Sequence, residues 1–169
     1  MGSITTNGNR NDEDIANVII ITAGSMTGEG NSTHIDAWSA DLKAENDISN
    51  LNTNLKYLST STEKNGNIMI RNISPALSLF NIIAREYGKV AGVTENNDFM
   101  VHDDNSYVPG TKNIQLTSTG NIVILGNISA PNEVTMHSID SGIYTISGTG
   151  YTITSNYLTL TAGKGIGLD

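Results

Sequence analysis

The sequence predicts an all-β chain that winds as a parallel β-solenoid, and three observations carry this prediction. Short strand-like runs recur through the C-terminal third, and Gly, Asn or Ser separates each run from the next. Similar phrases return roughly every 21–24 residues, which is the range of solenoid coils. One such series is Gly120-Asn121-Ile122, Gly142-Ile143 and Gly165-Ile166. In places apolar and polar residues alternate with a period of two, so one face is buried. A single unit of this kind cannot enclose a core, so each coil is expected to pack on the next and form a rod.

The composition is compatible with one folded domain and excludes several classes of partner. The chain has 169 residues, of which 37% are apolar and 15% charged, and Asn, Ser, Thr and Gly fill the difference. Thr favours strands and Asn tolerates left-handed turns, as a stacked β-rod requires. The net charge of −8 supplies no basic stripe for nucleic acid or for an anionic membrane surface. The chain has no cysteine and no run of about 18 apolar residues, so we expect no disulfide and no membrane insertion.

The N-terminal residues 1–14 are expected to form a flexible lead-in, because they are polar and end in acidic residues. They contain neither the basic region nor the apolar stretch of a signal peptide. The start Met1-Gly2-Ser3 looks like the remnant of an expression tag, and the chain stops at Asp169 just after a strand-like run. We therefore expect the sequence to be a piece of a longer protein.

Residues 15–72 carry the first predicted block of coils. Between Ala37 and Glu45 apolar and polar residues alternate, which indicates a strand with one buried face. The same alternation predicts that Trp38 lies in the core rather than forming a surface platform for a sugar. The strands expected in this block are 18–22, 32–36, 40–44, 47–51, 55–59 and 67–71.

Residues 73–112 break the pattern and are predicted to form an irregular insertion. Its first part reads as a short helix over 75–87, with Ser74 as N-cap, Pro75 in the first turn and Gly88 after the last turn. The alternative is two more coil strands over 76–80 and 82–84. The stretch that follows has little regularity and is expected to be an excursion on the surface of the rod.

Residues 113–169 are predicted to resume the coils as one continuous solenoid with the first block. The strand-like runs here are 113–116, 121–124, 127–130, 134–136, 143–146, 151–154, 157–160 and 165–168. Apolar residues from successive runs are expected to stack into the core, and they are Ile122, Ile124, Ile143, Ile146, Leu158 and Leu160.

Four phrases in these blocks carry a resemblance to a known family. They are 18–25 (VIIITAGS), 66–70 (GNIMI), 120–128 (GNIVILGNI) and 157–166 (YLTLTAGKGI). This pattern resembles the repeat region of the filamentous haemagglutinin family, the large exoproteins of two-partner secretion systems. The resemblance covers about residues 15–72 and 113–169.

The resemblance implies a right-handed parallel β-helix that is secreted and displayed at the surface of a Gram-negative cell. It implies a stalk or adhesive body, with a receptor or glycan on a host or bacterial surface as partner and an outer-membrane transporter as partner during secretion. The same repeats form the rods of contact-dependent growth inhibition effectors. The family's secretion domain carries Asn-Pro-Asn motifs, and the nearest phrase here is Ala130-Pro131-Asn132. The chain is therefore not expected to be that domain.

Candidate ligand-binding and metal-binding residues are scattered. His34, His102 and His137 have no metal-ligand spacing, so plain structural positions are the expected interpretation. The acidic residues Asp98, Asp103 and Asp104 could supply oxygen ligands to calcium but lack the order of a known calcium loop, so a solvated loop is expected instead. We expect no metal and no cofactor.

Aromatic residues give the remaining candidates for ligand binding. Tyr144, Tyr151 and Tyr157 recur in consecutive runs, where they could form a stacked ladder that steadies the coils or an exposed strip for carbohydrate or protein. The ladder is the preferred interpretation. Tyr87 and Tyr107, together with His102, are further candidates in the insertion.

The function expected from the sequence is structural and adhesive, without enzyme activity. The alternative is a carbohydrate-binding or carbohydrate-cleaving β-helix of the pectate lyase or tailspike type. Cleavage would need paired carboxyl groups at a set separation, and the acids available in one segment are Asp36, Asp41, Glu45 and Asp47. Exposed coils at both ends would also lead to end-to-end self-association.

Overall fold

The computed structural model describes residues 4–5, 17–85, 111–146 and 150–168. All regular secondary structure in these residues is β-strand. The strands are β1 (Ile4–Thr5), β2 (Asn17–Thr22), β3 (Met26–Thr27), β4 (Ile35–Asp36), β5 (Ser39–Ala44), β6 (Ile48–Asn54), β7 (Tyr57–Thr62), β8 (Ile68–Asn72), β9 (Ala76–Ile83), β10 (Asn113–Ser118), β11 (Asn121–Ile124), β12 (Ile128–Ser129), β13 (Glu133–Ser138), β14 (Gly142–Thr145), β15 (Ile153–Thr154), β16 (Tyr157–Ala162) and β17 (Gly165–Leu168).

Within the described residues the strands form two sheets, and all pairings are parallel. Sheet A has the order β1-β4-β6-β8-β10-β13-β16, with β3 also beside β6. Sheet B has the order β17-β14-β11-β9-β7-β5-β2, and in addition β12 pairs with β9 and with β15. The chain passes from one sheet to the other and back, so neighbours in a sheet belong to successive turns. This arrangement confirms the predicted parallel β-solenoid, which makes about six turns.

The core lies between the two sheets and consists of apolar columns that run along the solenoid axis. In sheet A, Ile48, Ile68, Ile114 and Val134 are aligned in register and fully buried. Each strand therefore covers the apolar side chains of the strand before it. This is the stacking that one coil cannot supply for itself.

The predicted C-terminal core row is confirmed in part. Ile122 pairs with Ile143, and both are buried together with Ile124. Ile146 is 46% exposed, because it follows the end of β14 and leaves the ladder. Leu158 lies in register with the buried Val134, but half of its surface is exposed.

The helix predicted over 75–87 is wrong where the structure describes this segment. Residues 76–83 form strand β9, which pairs with β7 on one side and with β11 and β12 on the other. The strand alternative was closer to the structure. The coils thus continue to Arg85, beyond the predicted start of the insertion at residue 73.

A β-bulge explains why β9 did not read as a strand. Leu77 and Leu79 point into the core, but Phe80 and Asn81 are both exposed before Ile82 turns inward again. The register with β7 shifts at the same place, so two residues of β9 oppose one of β7. The extra residue interrupts the period of two, and the remaining apolar spacing resembles a helical pattern.

Two inward-facing threonines of β7 differ in whether their buried hydroxyl groups form hydrogen bonds. Thr60 Oγ1 is buried and has no hydrogen-bond partner among the described residues. Thr62 Oγ1 donates to Gly66 O (3.0 Å) and accepts from Arg85 N (2.9 Å). We expect Thr60→Val to raise the free energy of unfolding by about 1 kcal/mol and Thr62→Val to lower it by about 2 kcal/mol. Chemical denaturation of both variants measures the difference, and effects of the same sign would contradict these hydrogen-bond assignments.

Candidate binding surface

Three aromatic side chains from successive turns line up on the outer surface beside sheet B. Trp38 immediately precedes β5, Tyr57 is the first residue of β7 and Phe80 lies in the bulge of β9. The ring centroids are 5.6 Å apart for Trp38 and Tyr57 and 5.8 Å apart for Tyr57 and Phe80. These separations lie within the range of favourable aromatic pairs. We call these three side chains the aromatic ladder.

The position of Trp38 corrects the prediction that it belongs to the core. Its side chain is half-buried and touches Tyr57 on the outer surface. The alternation through Ala40 and Leu42 is real, but it ends at the corner before β5, where Ala37 is buried instead. A period counted through a corner therefore assigns the wrong face to Trp38.

A lysine lies beside the aromatic ladder. Lys56 is exposed, and its Nζ is 4.0 Å from the ring centroid of Trp38 and 5.5 Å from that of Tyr57. An ammonium group at these distances is attracted by the negative faces of the rings. Lys56 thus covers the Trp38 side of the ladder and leaves the Phe80 side uncovered.

A shallow groove borders the ladder on the side of Tyr57 and Phe80, which form one of its walls. Its volume is about 240 Å³. The rest of the lining comes from β2, β5 and β7. It is partly polar (Asn17, Ser39, Asp41 and Ser59) and partly apolar (Val18, Ile19, Ala40 and Leu58). We call this feature the ring groove. A second groove of about 250 Å³ lies on the other side of the ladder, between Trp38, Lys56 and Pro75.

The polar residues of the ring groove already take part in local hydrogen bonds. Ser39 Oγ donates to Asn17 Oδ1. Ser59 Oγ donates to Asn81 O at 3.4 Å. Asp41 Oδ2 is 3.3 Å from Lys43 Nζ, and both side chains are more than one third exposed. Carboxylate and hydroxyl oxygens can accept more than one hydrogen bond, so Asp41, Ser39 and Ser59 can still bind a ligand hydroxyl beside the two aromatic rings.

Another groove, with a volume of about 450 Å³, lies on the outer face of sheet A. Arg71, Gln115 and Thr117 line its floor, and the loop between β3 and β4 forms one wall. His34 fixes this loop from beneath: its Nδ1 accepts from Asn52 N (3.0 Å) and its Nε2 contacts Glu29 O (2.9 Å). These two contacts hold the imidazole between Asn52 and the backbone of the loop.

The carboxylates considered for carbohydrate cleavage have separate local partners. Asp41 is paired with Lys43, and Glu45 contacts Lys64. Asp47 Oδ1 accepts from the backbone N (2.8 Å) and the side chain (3.1 Å) of Asn67. Among the described residues no group of three His, Cys, Asp or Glu side chains could hold a metal ion.

The tyrosine ladder predicted from Tyr144, Tyr151 and Tyr157 is wrong. Tyr144 lies in sheet B, where it pairs with Val123, and Tyr157 lies in sheet A, where it pairs with Glu133. Tyr151 precedes β15 and is exposed. The three rings thus form neither one column nor one strip. Binding by any one of them stays a prediction.

The actual aromatic ladder was missed by the sequence analysis, although a signal for it exists. Its three residues are each separated by about one coil period, which is the spacing expected for neighbours in a solenoid. The second described histidine, His137, is half-buried and lies on the outer face of sheet A between Thr117 and Thr161. The remaining candidates lie outside the described residues, and they are Tyr87, Asp98, His102, Asp103, Asp104 and Tyr107.

Comparisons with protein-family models, with curated proteins and with solved structures find no match for this chain. In the part of the chain that the structure describes, no helix has the length and apolar character needed to cross a membrane.

Proposed function

We propose that this chain is a structural and adhesive segment of a large secreted bacterial surface protein, similar to the filamentous haemagglutinin family. One observation carries the proposal, namely the continuity of the parallel ladder. Sheet B runs from β2 to β17 through one strand of each turn. Such a rod grows by about 4.8 Å per turn. Its length depends only on the number of turns, as a stalk requires.

The ladder continues across the segment between Arg85 and Thr111. Ile68 of β8 pairs directly with Ile114 of β10, so the coils before and after this segment are stacked neighbours. Arg85 O accepts from Gly66 N (2.9 Å), and Asn113 N donates to Asn67 Oδ1 (2.9 Å). The two ends of the segment thus lie next to consecutive residues. A short linker could replace residues 86–110 without loss of the coil stack.

The surface of the rod supports an adhesive role in addition to a mechanical one. Each turn presents outward side chains on two sheets, so binding residues can be repeated or combined along the axis. A receptor or glycan on a host or bacterial cell would be the partner, and an outer-membrane transporter would act during secretion. The chain would be located outside the cell, at the surface of a Gram-negative bacterium.

Carbohydrate recognition is the second candidate, and the aromatic ladder favours it. Rings beside exposed hydroxyl and carboxylate groups suit the mixed apolar and polar surface of a sugar. Polysaccharide cleavage would need two carboxyl groups placed on either side of a glycosidic bond. Asp41 and Glu45 are each next to a lysine instead, so binding is favoured over cleavage.

An adhesion assay tests the proposed function. Beads coated with the chain are expected to attach saturably to epithelial cells or to bacterial cells, whereas beads coated with albumin are not. The variant that lacks residues 86–110 is expected to keep the β-sheet circular dichroism spectrum, and its attachment shows whether the solenoid itself binds. Failure of coated beads to attach to any cell type would contradict the adhesive function.

A further inference from the structure

We infer that the ring groove binds a neutral oligosaccharide, with Tyr57 and Phe80 as the stacking surface and Asp41 as an acceptor for sugar hydroxyls. This inference rests on the adhesive function proposed above and names the ligand class for one of its surfaces. Three features of the groove carry it: the two aromatic rings, the polar groups beside them and the sign of the local charge.

The rings supply an apolar wall that is open to solvent. Phe80 is 42% exposed, although aromatic side chains of this size usually lose most of their surface on folding. Its plane is inclined by 35° to that of Tyr57, with 5.8 Å between the centroids. The two rings thus form adjoining parts of one apolar surface. The C–H face of a pyranose carries partial positive charge and is attracted by the negative faces of such rings.

The polar groups of this largely apolar groove favour a ligand that has both apolar faces and hydroxyl groups, such as a sugar, over a purely apolar chain. Ser39 and Asp41 lie two residues apart in β5, and Asp41 pairs with Ser59 of β7. All three line the same groove as the rings. An acyl chain or an apolar peptide side chain placed there would remove these groups from water without replacing their hydrogen bonds, which costs free energy. Sugar hydroxyls both donate and accept, so they can satisfy a carboxylate and two hydroxyls while the ring stacks.

The charge of the groove selects against anionic sugars. Asp41 is the carboxylate on the groove, and the chain as a whole has a net charge of −8. A uronate or sialate would bring a second negative charge to the same site, and like charges in proximity are unfavourable. Lys43 Nζ, 3.3 Å from Asp41 Oδ2, offsets part of this charge, so the expected preference for neutral over anionic sugars is modest. Lys56 lies over Trp38 on the opposite side of the ladder. A neutral hexose chain is not repelled by the carboxylate of Asp41.

The groove is small and open, which predicts weak binding. Its volume of about 240 Å³ is below the usual range of small-molecule sites, which begins at about 300 Å³. Nuclear magnetic resonance titration suits this range of affinity. The probes are neutral hexasaccharides of glucose, mannose and galactose, with hexagalacturonate as the anionic comparison.

The expected result is saturable binding of at least one neutral hexasaccharide, with weaker binding of hexagalacturonate. Tyr57→Leu and Phe80→Leu keep apolar bulk but remove the ring, and each should weaken binding about three- to tenfold. Asp41→Asn should weaken the binding of the neutral hexasaccharide about fivefold. It should also reduce the difference in affinity between the neutral hexasaccharide and hexagalacturonate. Ile139→Ala serves as the matched control, because Ile139 is similarly exposed, at 38%, but lies outside the groove.

Several outcomes would overturn the inference. These are no binding of any neutral hexasaccharide, equal or tighter binding of hexagalacturonate, and neutral binding that Tyr57→Leu and Phe80→Leu leave unchanged. Circular dichroism of each variant shows that a loss of binding does not come from unfolding, and the exposed Phe80 is the safer of the two positions. If coated beads still attach to cells while no sugar binds, the carbohydrate site is excluded and the adhesive function stands. If a neutral hexasaccharide binds but coated beads do not attach to cells, the adhesive function is excluded and the carbohydrate site stands.

Discussion

Replacing Asn72 with alanine is expected to lower the free energy of unfolding by about 3 to 5 kcal/mol. The side chain is fully buried at the end of β8. Its Oδ1 accepts from Leu55 N and from Thr53 Oγ1, both at 2.9 Å, and its Nδ2 donates to Leu55 O at 3.1 Å. Leu55 lies at the corner between β6 and β7. The side chain of Asn72, one turn later, therefore forms hydrogen bonds with the backbone N–H and C=O groups of this corner. Alanine would leave three buried polar groups without these partners.

Urea denaturation followed by circular dichroism measures this effect, and two variants separate its causes. Asn72→Asp keeps the size of the side chain but replaces the donor with an oxygen next to Leu55 O, so we expect a loss at least as large as that of alanine. Asn81→Ala removes an exposed asparagine from β9, the next strand along the chain, and should change the free energy of unfolding by less than about 0.5 kcal/mol. Similar losses for Asn72→Ala and Asn81→Ala would show that the corner does not depend on the buried amide.

The strands of this protein could be read from the sequence because they follow local rules. Runs such as 113–116 and 121–124 alternate inward and outward residues, and Gly or Asn marks the turns between them. Their return at nearly constant spacing was enough to predict that they stack in parallel. The inward column from Ile48 to Val134 follows directly from that periodicity.

The corners and bulges could not be predicted in this way. The alternation that places Leu42 in the core fails at Trp38, because the chain turns between the two sheets there. Asn50 has φ of 55° at an irregularity between β6 and β8, and Phe80 lies in the bulge of β9. Each of these features depends on the length of the adjacent turn rather than on its own sequence.

The candidate site was missed for the same reason. Trp38, Tyr57 and Phe80 come together only when the register between three turns is known, and the bulge at Phe80 shifts that register. Their order in the chain instead groups Tyr144, Tyr151 and Tyr157. Residues of one column must be identified from pairing between turns, and periodicity alone gives that pairing only where the turns have equal length.

Replacing Gly120 with alanine is expected to lower the free energy of unfolding by about 3 kcal/mol. Gly120 lies at the corner between β10 and β11, against the corner of the preceding turn. A Cβ atom at this position would lie 1.8 Å from Pro75 O and 2.1 Å from Pro75 C. These are backbone atoms in the ladder, since Pro75 O also accepts from Asn121 N at 3.1 Å. The methyl group can be accommodated only if the two turns separate and that hydrogen bond weakens.

Hydrogen exchange of Gly120→Ala shows where the stack opens. Because each turn touches only its neighbours, protection should fall in β9 and β11 and persist in β5 and β2, which lie two and three turns from β9. Gly24→Ala is the matched control, because the nearest neighbouring heavy atom to its Cβ is 4.0 Å away, an ordinary contact. Full protection in β9 would contradict the close approach of the two corners. Equal loss in every strand would mean that the rod unfolds as one unit, and its stability could then not be a sum of separate interfaces between turns.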